Sequence, residues 1–195
     1  MFQIKEIVNS IFNSKTYILY HEGENKAWLV DIGDIEPVVG FLKEKELNVK
    51  GLFLTHAHFD HMYGILEFLG YYPNCKVYVT SFTKDALASE KLNLSKYHET
   101  PIKYEGDNVI VVHEGGSLRL FEKEPSMFFF ETPGHNPGCL TMVIGDMIFT
   151  GDAYIPGVGA NTQPPRADKV LAKQSLERIL KLAEGKIILP GHQVG

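Results

Sequence analysis

The chain has 195 residues, of which 44% are hydrophobic and 22% charged, a composition typical of a globular protein and not of a disordered or fibrous one. We expect residues 1–195 to form a single domain, because this length supports one substantial hydrophobic core. The formal net charge of −5 and the scattered lysines provide no basic surface for a phosphate backbone, so we expect no nucleic-acid partner.

The sequence contains few cysteines and no segment suited to a membrane. No stretch approaches the roughly 20 apolar residues of a membrane-spanning helix, so we expect no membrane partner. The N-terminal segment carries charges within its first six residues and predicts a strand, not a secretory signal. Two cysteines, Cys75 and Cys139, are too few for a disulfide framework, which favours a reduced, cytoplasmic location. The oligomeric state is left open.

The first part of the chain changes from a strand period to a helical period. Alternating apolar residues predict three strands, over 2–8, 17–20 and 27–32, which form an opening β-meander. A helical period follows over 35–47. Residues 49–54 are then nearly all apolar, which is typical of a buried strand.

The middle of the chain alternates helix and strand. The spacing of apolar residues predicts a helix over 59–69, a buried strand over 76–80 and a short helix over 83–89. The segment 97–107 is polar and contains proline and glycine, so it is predicted to be a surface loop.

The second half returns to short strands and is predicted to form a second meander. These strands cover 109–113, 118–121, 127–131, 140–144 and 147–150. A helix over 169–182 and a last strand over 186–189 complete the chain. Two sheets packed face to face, with helices outside, would satisfy this order of elements.

The stretch LTHAHFDHMYG, residues 54–64, places four side chains able to bind metal within six positions at the end of a predicted buried strand. In an extended segment, residues two apart point to the same side, so His56 and His58 can bind one ion together. The adjacent pair Asp60 and His61 must point differently after a turn, which suits a second ion. Imidazole nitrogens and a carboxylate are ligands for zinc, iron or manganese.

Three further candidate ligands lie just beyond predicted strands. They are His135 in TPGHNPG, Asp152 in FTGDAY and His192 in LPGHQ, and each directly follows a glycine that permits a tight turn. If these strand ends meet at one edge of the sheets, all seven side chains converge there.

The order His-x-His-x-Asp-His over 56–61, then Gly-His at 135, Gly-Asp at 152 and Gly-His at 192, resembles the metallo-β-lactamase superfamily of metallo-hydrolases. The compact glyoxalase II-like members are the most similar. Asp-Ile-Gly-Asp at 31–34 is similar to the family's early aspartate-glycine turn. The resemblance implies an α/β fold, a four-layered αββα sandwich in which two mixed β-sheets pack face to face with helices outside.

The resemblance also implies a cofactor of two divalent metal ions, with zinc favoured and iron or manganese as alternatives. It places His56, His58 and His135 on one metal, Asp60, His61 and His192 on the other, and Asp152 between them. A hydroxide between the metals would be the nucleophile, and Asp60 would orient it as the catalytic residue.

Three residues near these motifs are candidates for supporting roles, each with a simpler alternative. Asp31 is predicted either to orient a ligand histidine or only to form a turn. Tyr154 either donates to an oxyanion or packs. Arg166 either meets a substrate carboxylate or is solvated surface. The remaining histidines, His98 among them, are interpreted as ordinary surface or core residues.

The predicted function is therefore a hydrolase that uses a metal-bridging hydroxide to cleave a small ester, thioester or lactone. Two alternatives stay open: a mononuclear iron sulfur dioxygenase, which the resemblance would place on His56, His135 and Asp152, and a metal-binding member without catalysis. Glyoxalase II adds a helical domain after its last histidine, whereas this sequence ends three residues after His192, which favours a compact relative. Asn136 also departs from the family's commoner TPGHTPG pattern.

Overall fold

The computed structural model describes residues 2–193, which form eleven strands and four α-helices. The strands are β1 Phe2–Val8, β2 Lys15–His21, β3 Glu24–Val30, β4 Asn48–Phe53, β5 Lys76–Val79, β6 Val109–Val111, β7 Ser117–Leu118, β8 Met127–Glu131, β9 Leu140–Ile144, β10 Met147–Gly151 and β11 Ile187–Pro190. The helices are α1 Ile35–Glu44, α2 Ile65–Tyr71, α3 Ser81–Leu87 and α4 Lys169–Leu182, and 3₁₀ turns cover Phe59–His61 and Ser95–Tyr97. Within residues 2–193, none of the helices has the length and apolar character needed to span a membrane.

The strands form two mixed sheets. The first has six strands in the order β1-β2-β3-β4-β5-β6, antiparallel from β1 to β3 and parallel from β3 to β6. The second has five strands in the order β11-β10-β9-β8-β7, antiparallel except for the parallel pair of β10 and β11.

Strand β3 is buried on both faces, which explains its nearly all-apolar second half. Because successive side chains of a strand point to opposite faces, Ala27 and Leu29 join one apolar cluster and Trp28 and Val30 join another. The first cluster also contains Val38 of α1, so it lies between the helices and the first sheet.

The other two apolar clusters complete the layers. Between the sheets, Phe53 of β4 and Phe129 of β8 meet with ring centroids 5.9 Å apart. Behind the second sheet, Ile148 of β10 packs with Ile179 of α4. Three apolar interfaces separate four layers, and the predicted αββα sandwich is confirmed.

The helix predicted over 59–69 is wrong at its start. The chain makes a 3₁₀ turn at Phe59–His61, and α2 begins only at Ile65. Besides short-range turn bonds, the intervening backbone makes two hydrogen bonds to a distant loop: Ile32 N–H donates to the His61 carbonyl at 3.0 Å, and Gly64 N–H donates to the Ile32 carbonyl at 3.4 Å. These bonds replace helical ones and hold the histidine-rich loop against residues 31–34.

Two predicted strands also differ from the structure. The strand expected over 118–121 ends at Leu118, because Leu120 leaves the ladder and its carbonyl accepts a hydrogen bond from Trp28 Nε1 at 3.1 Å. Residues 109–113 do not begin a second meander. Val109–Val111 pairs in parallel with β5 and completes the first sheet.

We predict that Gly64→Ala lowers the free energy of unfolding by about 1–3 kcal/mol. An added Cβ would overlap the backbone oxygen of Gly33, which cannot move as a side-chain end can. Gly70→Ala is the matched control, because it lies within α2 and a Cβ there meets nothing within 4 Å. Denaturant unfolding of both variants checks the prediction, and equal stability of the two would contradict it.

Candidate metal centre

The seven predicted ligands lie at one end of the two sheets, where four strands finish. The histidine-rich loop follows β4, and His135, Asp152 and His192 follow β8, β10 and β11. The structure brings the seven together in three groups whose potential ligand atoms lie within 4.8 Å of one another. The groups are His56, His58 and His135; His56, His61 and Asp152; and Asp60, His61 and His192.

Asp152 lies between two halves of this cluster. In one half, His58 Nδ1 is 2.9 Å from His135 Nε2. In the other half, His61 Nε2 is 3.2 Å from His192 Nε2. Asp152 Oδ2 is 3.5 Å from His135 Nε2 and 3.2 Å from His192 Nε2, so one carboxylate reaches both halves.

Asp60 lies at the more open side of the second half. Its Oδ2 is 3.2 Å from His192 Nε2 and 3.4 Å from His61 Nε2. Its side chain keeps 14% of its surface exposed, while that of His61 is fully buried. Asp60 can therefore contact both a cation in the cluster and a molecule that enters from solvent.

Two buried atoms of the cluster indicate a cation site. His56 Nε2 and Asp152 Oδ1 are buried and have no hydrogen-bond partner within residues 2–193. Buried polar atoms are rarely left unpaired, and an unpaired one calls for an ion, a water or a functional reason. An imidazole nitrogen and a carboxylate oxygen are preferred zinc ligands, so the residues present fit a divalent metal.

Burial keeps three of the histidines neutral. It lowers the pKa of His58 to about 3, helped by the nearby His135. Burial also lowers the pKa of His135, although Asp152 opposes the shift. The pKa of His56 falls well below its usual value, because burial adds to the proximity of His61 and His58.

The carboxylates have the opposite effect on the other two histidines. Burial alone would lower the pKa of His192, but its hydrogen bonds to Asp152 and Asp60 raise it to about 10. Burial likewise opposes a charge on His61, and the same two carboxylates with Asp31 raise its pKa well above the usual value.

We predict that loading metal at pH 7.5 releases about one proton from this pair of histidines. The Nε2 atoms of His61 and His192 face each other at 3.2 Å, so with raised pKa values they share one proton in the metal-free protein, and that proton must leave before both nitrogens can bind a cation. The apparent metal affinity should therefore rise from pH 7 towards pH 10. The stability that His192 gives the metal-free protein is fully present below its unfolded pKa and is lost as the pH rises through about 10. Calorimetry in buffers of different ionisation enthalpy checks the count, and metal uptake without proton release would contradict it.

Asp31 lies behind His61 and is 1% exposed. Its carboxylate accepts hydrogen bonds from Thr55 N–H and Thr55 Oγ1, both at 2.8 Å, and lies 2.9 Å from His61 Nδ1. Burial raises the pKa of Asp31, while His61 and Thr55 oppose the rise. Its backbone has φ +56°, a left-handed conformation that aspartate tolerates better than most residues.

The structure does not bring Tyr154 or Arg166 into the cluster. The Tyr154 side chain packs against the apolar cluster of Ile148 and Ile179, behind the second sheet. Arg166 is exposed in the loop before α4. Neither residue lines the cavity that opens onto the candidate ligands.

That cavity has a volume of about 300 Å³ and an apolar wall that the sequence analysis missed. The rings of Phe59 and His98 stack with centroids 3.8 Å apart, and Phe12 meets His98 edge-on at 6.4 Å. Leu94 also lines this side. Phe12 and Leu94 adopt left-handed backbone conformations, with φ values of +54° and +64°. The spacing of apolar residues in the sequence does not predict such conformations. His98, interpreted above as an ordinary residue, therefore belongs to the cavity.

Comparison with known proteins identifies one family. The family model described as "Metallo-beta-lactamase superfamily" matches residues 12–192. The hydroxyacylglutathione hydrolase of Tolumonas auensis is 25% identical over 177 residues, which cover 91% of this chain and 61% of that protein. The corresponding protein of Citrobacter koseri is 27% identical over 188 residues, covering 95% and 65%. This chain thus spans less than two thirds of the length of these relatives.

Solved structures share the fold over nearly the whole chain. The crystal structure of the BLEG-1 B3 metallo-beta-lactamase superposes with a TM-score of 0.86 at 27% identity, covering 98% of this chain and 92% of that one. TTHA1623 in a di-iron-bound form gives a TM-score of 0.82 at 24% identity, covering 98% and 93%. ETHE1 from Myxococcus xanthus gives 0.73 at 21% identity, covering 98% and 76%. At these identities the last two show similarity of fold alone.

Proposed function

Because the chain belongs to the metallo-beta-lactamase superfamily, we propose that it is a metal-dependent hydrolase of small thioesters, esters or lactones, and that residues 1–195 form one such domain. The observation that carries the proposal is the arrangement of candidate ligands in two halves, with Asp152 within 3.5 Å of a histidine in each. A shared carboxylate between two ligand sets is suited to a dinuclear centre.

The proposed cofactor is a pair of divalent metal ions, with zinc first and iron or manganese as alternatives. His56, His58 and His135 would hold one ion, Asp60, His61 and His192 would hold the other, and Asp152 would contact both. When bound, such a pair activates water near neutral pH and polarises the scissile carbonyl.

The protein's own residues would position and orient the reactants. Asp60 is the one candidate ligand that combines partial exposure with a carboxylate, so it can accept a hydrogen bond from the attacking water and aim it at the carbonyl. Asp31, at 2.9 Å from His61 Nδ1, would keep that ring in one orientation and direct its Nε2 towards the cluster.

The cavity supports a small substrate with an apolar group. Its lining includes Phe12, Phe59, Leu94 and His98 but, among the described residues, no lysine or arginine. Without lysine or arginine, the cavity wall beyond the candidate ligands offers no counter-charge to a substrate carboxylate, whereas its aromatic side can hold a flat or aliphatic acyl group. Thioester cleavage is supported further by the relatives named hydroxyacylglutathione hydrolase.

The test is elemental analysis of the purified protein followed by assays on matched thioesters, esters and lactones. We expect about two metals per chain, hydrolysis of at least one of these classes, and loss of activity on chelation that added metal restores. One iron per chain with oxygen uptake on persulfides would favour the sulfur dioxygenase. Metal without turnover of any of these substrates would favour a binding-only protein.

We predict that Phe12→Ala raises KM for thioesters with apolar acyl groups by about 3- to 30-fold, with a smaller effect on kcat. Phe12 is 68% exposed, and the substitution removes its ring from the cavity wall while it keeps the backbone carbonyl that faces His192 Nδ1. Phe128→Ala is the matched control, because that ring is also exposed but lies on β8 away from the cavity. Steady-state kinetics check the prediction, and an unchanged KM for every acyl group would refute it.

A further inference from the structure

Asn136 directly follows His135 and is in contact with a different ligand histidine. It is 1% exposed, and its Oδ1 accepts a hydrogen bond from Gly138 N–H at 2.8 Å. Its Nδ2 lies 3.0 Å from His58 Nε2. A backbone N–H can only donate, so the carboxamide oxygen must face Gly138. The amide NH₂ group, itself a donor, must therefore face His58.

The other four histidines of the cluster have an acceptor beside Nδ1. The acceptors are Asp31 Oδ2 for His61 at 2.9 Å, the Asn161 carbonyl for His135 at 2.7 Å, the Phe12 carbonyl for His192 at 2.9 Å and Thr55 Oγ1 for His56 at 3.2 Å. The Thr55 hydroxyl donates its own proton to Asp31, so its oxygen is free to accept from His56. Each acceptor keeps a proton on Nδ1, so that Nε2 is the nitrogen turned towards the cluster.

His58 has the opposite arrangement. It approaches the cluster with Nδ1, which lies 2.9 Å from His135 Nε2, and turns Nε2 towards the NH₂ of Asn136. A neutral imidazole carries a single proton. With a donor beside Nε2, that proton is favoured on Nδ1, from which it is donated to His135. The lone pair of His58 then points at Asn136, away from the cluster.

We propose that Asn136 is a positioning residue that holds His58 in a tautomer unable to ligate, so that the two halves of the centre fill in order. The Asp60, His61 and His192 half binds the first metal, and the half containing His58 binds the second more weakly. Binding through His58 Nδ1 moves the proton to Nε2, where it opposes the Asn136 NH₂ and a hydrogen bond is lost. This inference rests on the proposed use of the cluster as metal ligands.

Competition of the full chain with a chromophoric chelator for zinc tests the order of filling. We expect two steps at least about tenfold apart in affinity, of which His192→Ala removes the tighter and His58→Ala the weaker. Asn136→Asp keeps the shape of the side chain but presents oxygen to both Gly138 N–H and His58 Nε2–H. It should therefore reduce the ratio between the two zinc affinities, the affinity gap, by about 10- to 100-fold. Asn136→Ala removes the opposing donor without adding charge and should narrow the gap less. Asn74→Asp adds the same charge at an exposed position and should leave the gap unchanged.

Ring nitrogen NMR of the metal-free protein gives a readout that needs neither metal nor activity. Long-range proton–nitrogen correlations should show His58 protonated at Nδ1 alone in the wild type and at Nε2 as well in Asn136→Asp, while the other four rings keep their proton on Nδ1. A wild-type His58 protonated at Nε2, or a first metal that enters the His58 half, would overturn the inference. A protein that binds no zinc would instead end the proposed function, and the His58 tautomer would still be decided by NMR.

Discussion

Asp152→Ala should bind far less metal than the wild type and lose at least about a thousandfold in hydrolytic rate. Asp152 is the carboxylate whose Oδ2 lies within 3.5 Å of a histidine nitrogen in both halves of the cluster. Its other oxygen is one of the two buried atoms of the cluster that have no hydrogen-bond partner among residues 2–193. The neighbouring histidines hold its pKa well below the usual range against the effect of burial, so it is charged at neutral pH. Its removal takes away the only proposed ligand shared by both metals.

Two further variants separate this role from a general loss of folding. Asp152→Asn keeps the shape and removes the charge, and we expect it to retain some metal while it loses most of the activity. Asp85→Ala removes an exposed aspartate from α3 and should keep both metal and activity. Elemental analysis measures the metal content of all three variants, near-UV circular dichroism their folding, and the thioester assay their activity. Together these measurements separate a loss of metal from a loss of folding. A folded Asp152→Ala protein with two metals would contradict the proposed bridge.

Most of the layered fold could be predicted from the sequence, because the apolar positions along a strand indicate which of its faces are buried. The run around Trp28 contributes alternate side chains to two apolar clusters, and such a run predicts a buried strand whatever its neighbours are. Where backbone bonds run to distant loops, the local pattern misleads. His61 and Gly64 have apolar neighbours at helical spacing, yet their backbone pairs with Ile32 and no α-helix forms there. The spacing of apolar residues indicates which side chains are buried, but it does not predict such long-range backbone hydrogen bonds.

The candidate ligands were more predictable than the cavity around them. His135 and His192 each follow a glycine at a strand end, and a short local pattern suffices to single them out. The stacked rings of Phe59 and His98 lie 39 positions apart in the sequence, with α2, β5 and α3 between them, and the His98 loop carries no motif. The contact that places Asn136 beside His58 is equally invisible in the sequence, although the departure from a threonine at that position was visible. Substrate-facing residues on loops depend on tertiary packing, and spacing does not encode it.

Asp31→Ala should lower the free energy of unfolding of the metal-free protein by about 3–5 kcal/mol. The change leaves Thr55 N–H, the Thr55 hydroxyl and the His61 ring without their buried acceptor, and it puts alanine at φ +56°. Asp31→Asn tolerates this backbone and keeps one acceptor, so about 1–3 kcal/mol is expected for it.

The same two variants should also weaken metal binding, because His61 loses the group that fixes its orientation. A decrease of about 10- to 100-fold is expected in the affinity of the tighter step. Asp107→Ala, an exposed aspartate in the loop before β6, is the control for the lost charge and should change neither stability nor affinity. Denaturant unfolding without metal and chelator competition with zinc measure the two effects separately. If Asp31→Asn lost stability while its zinc affinity matched the wild type, Asp31 would support the fold alone and its proposed orientation of His61 would be wrong.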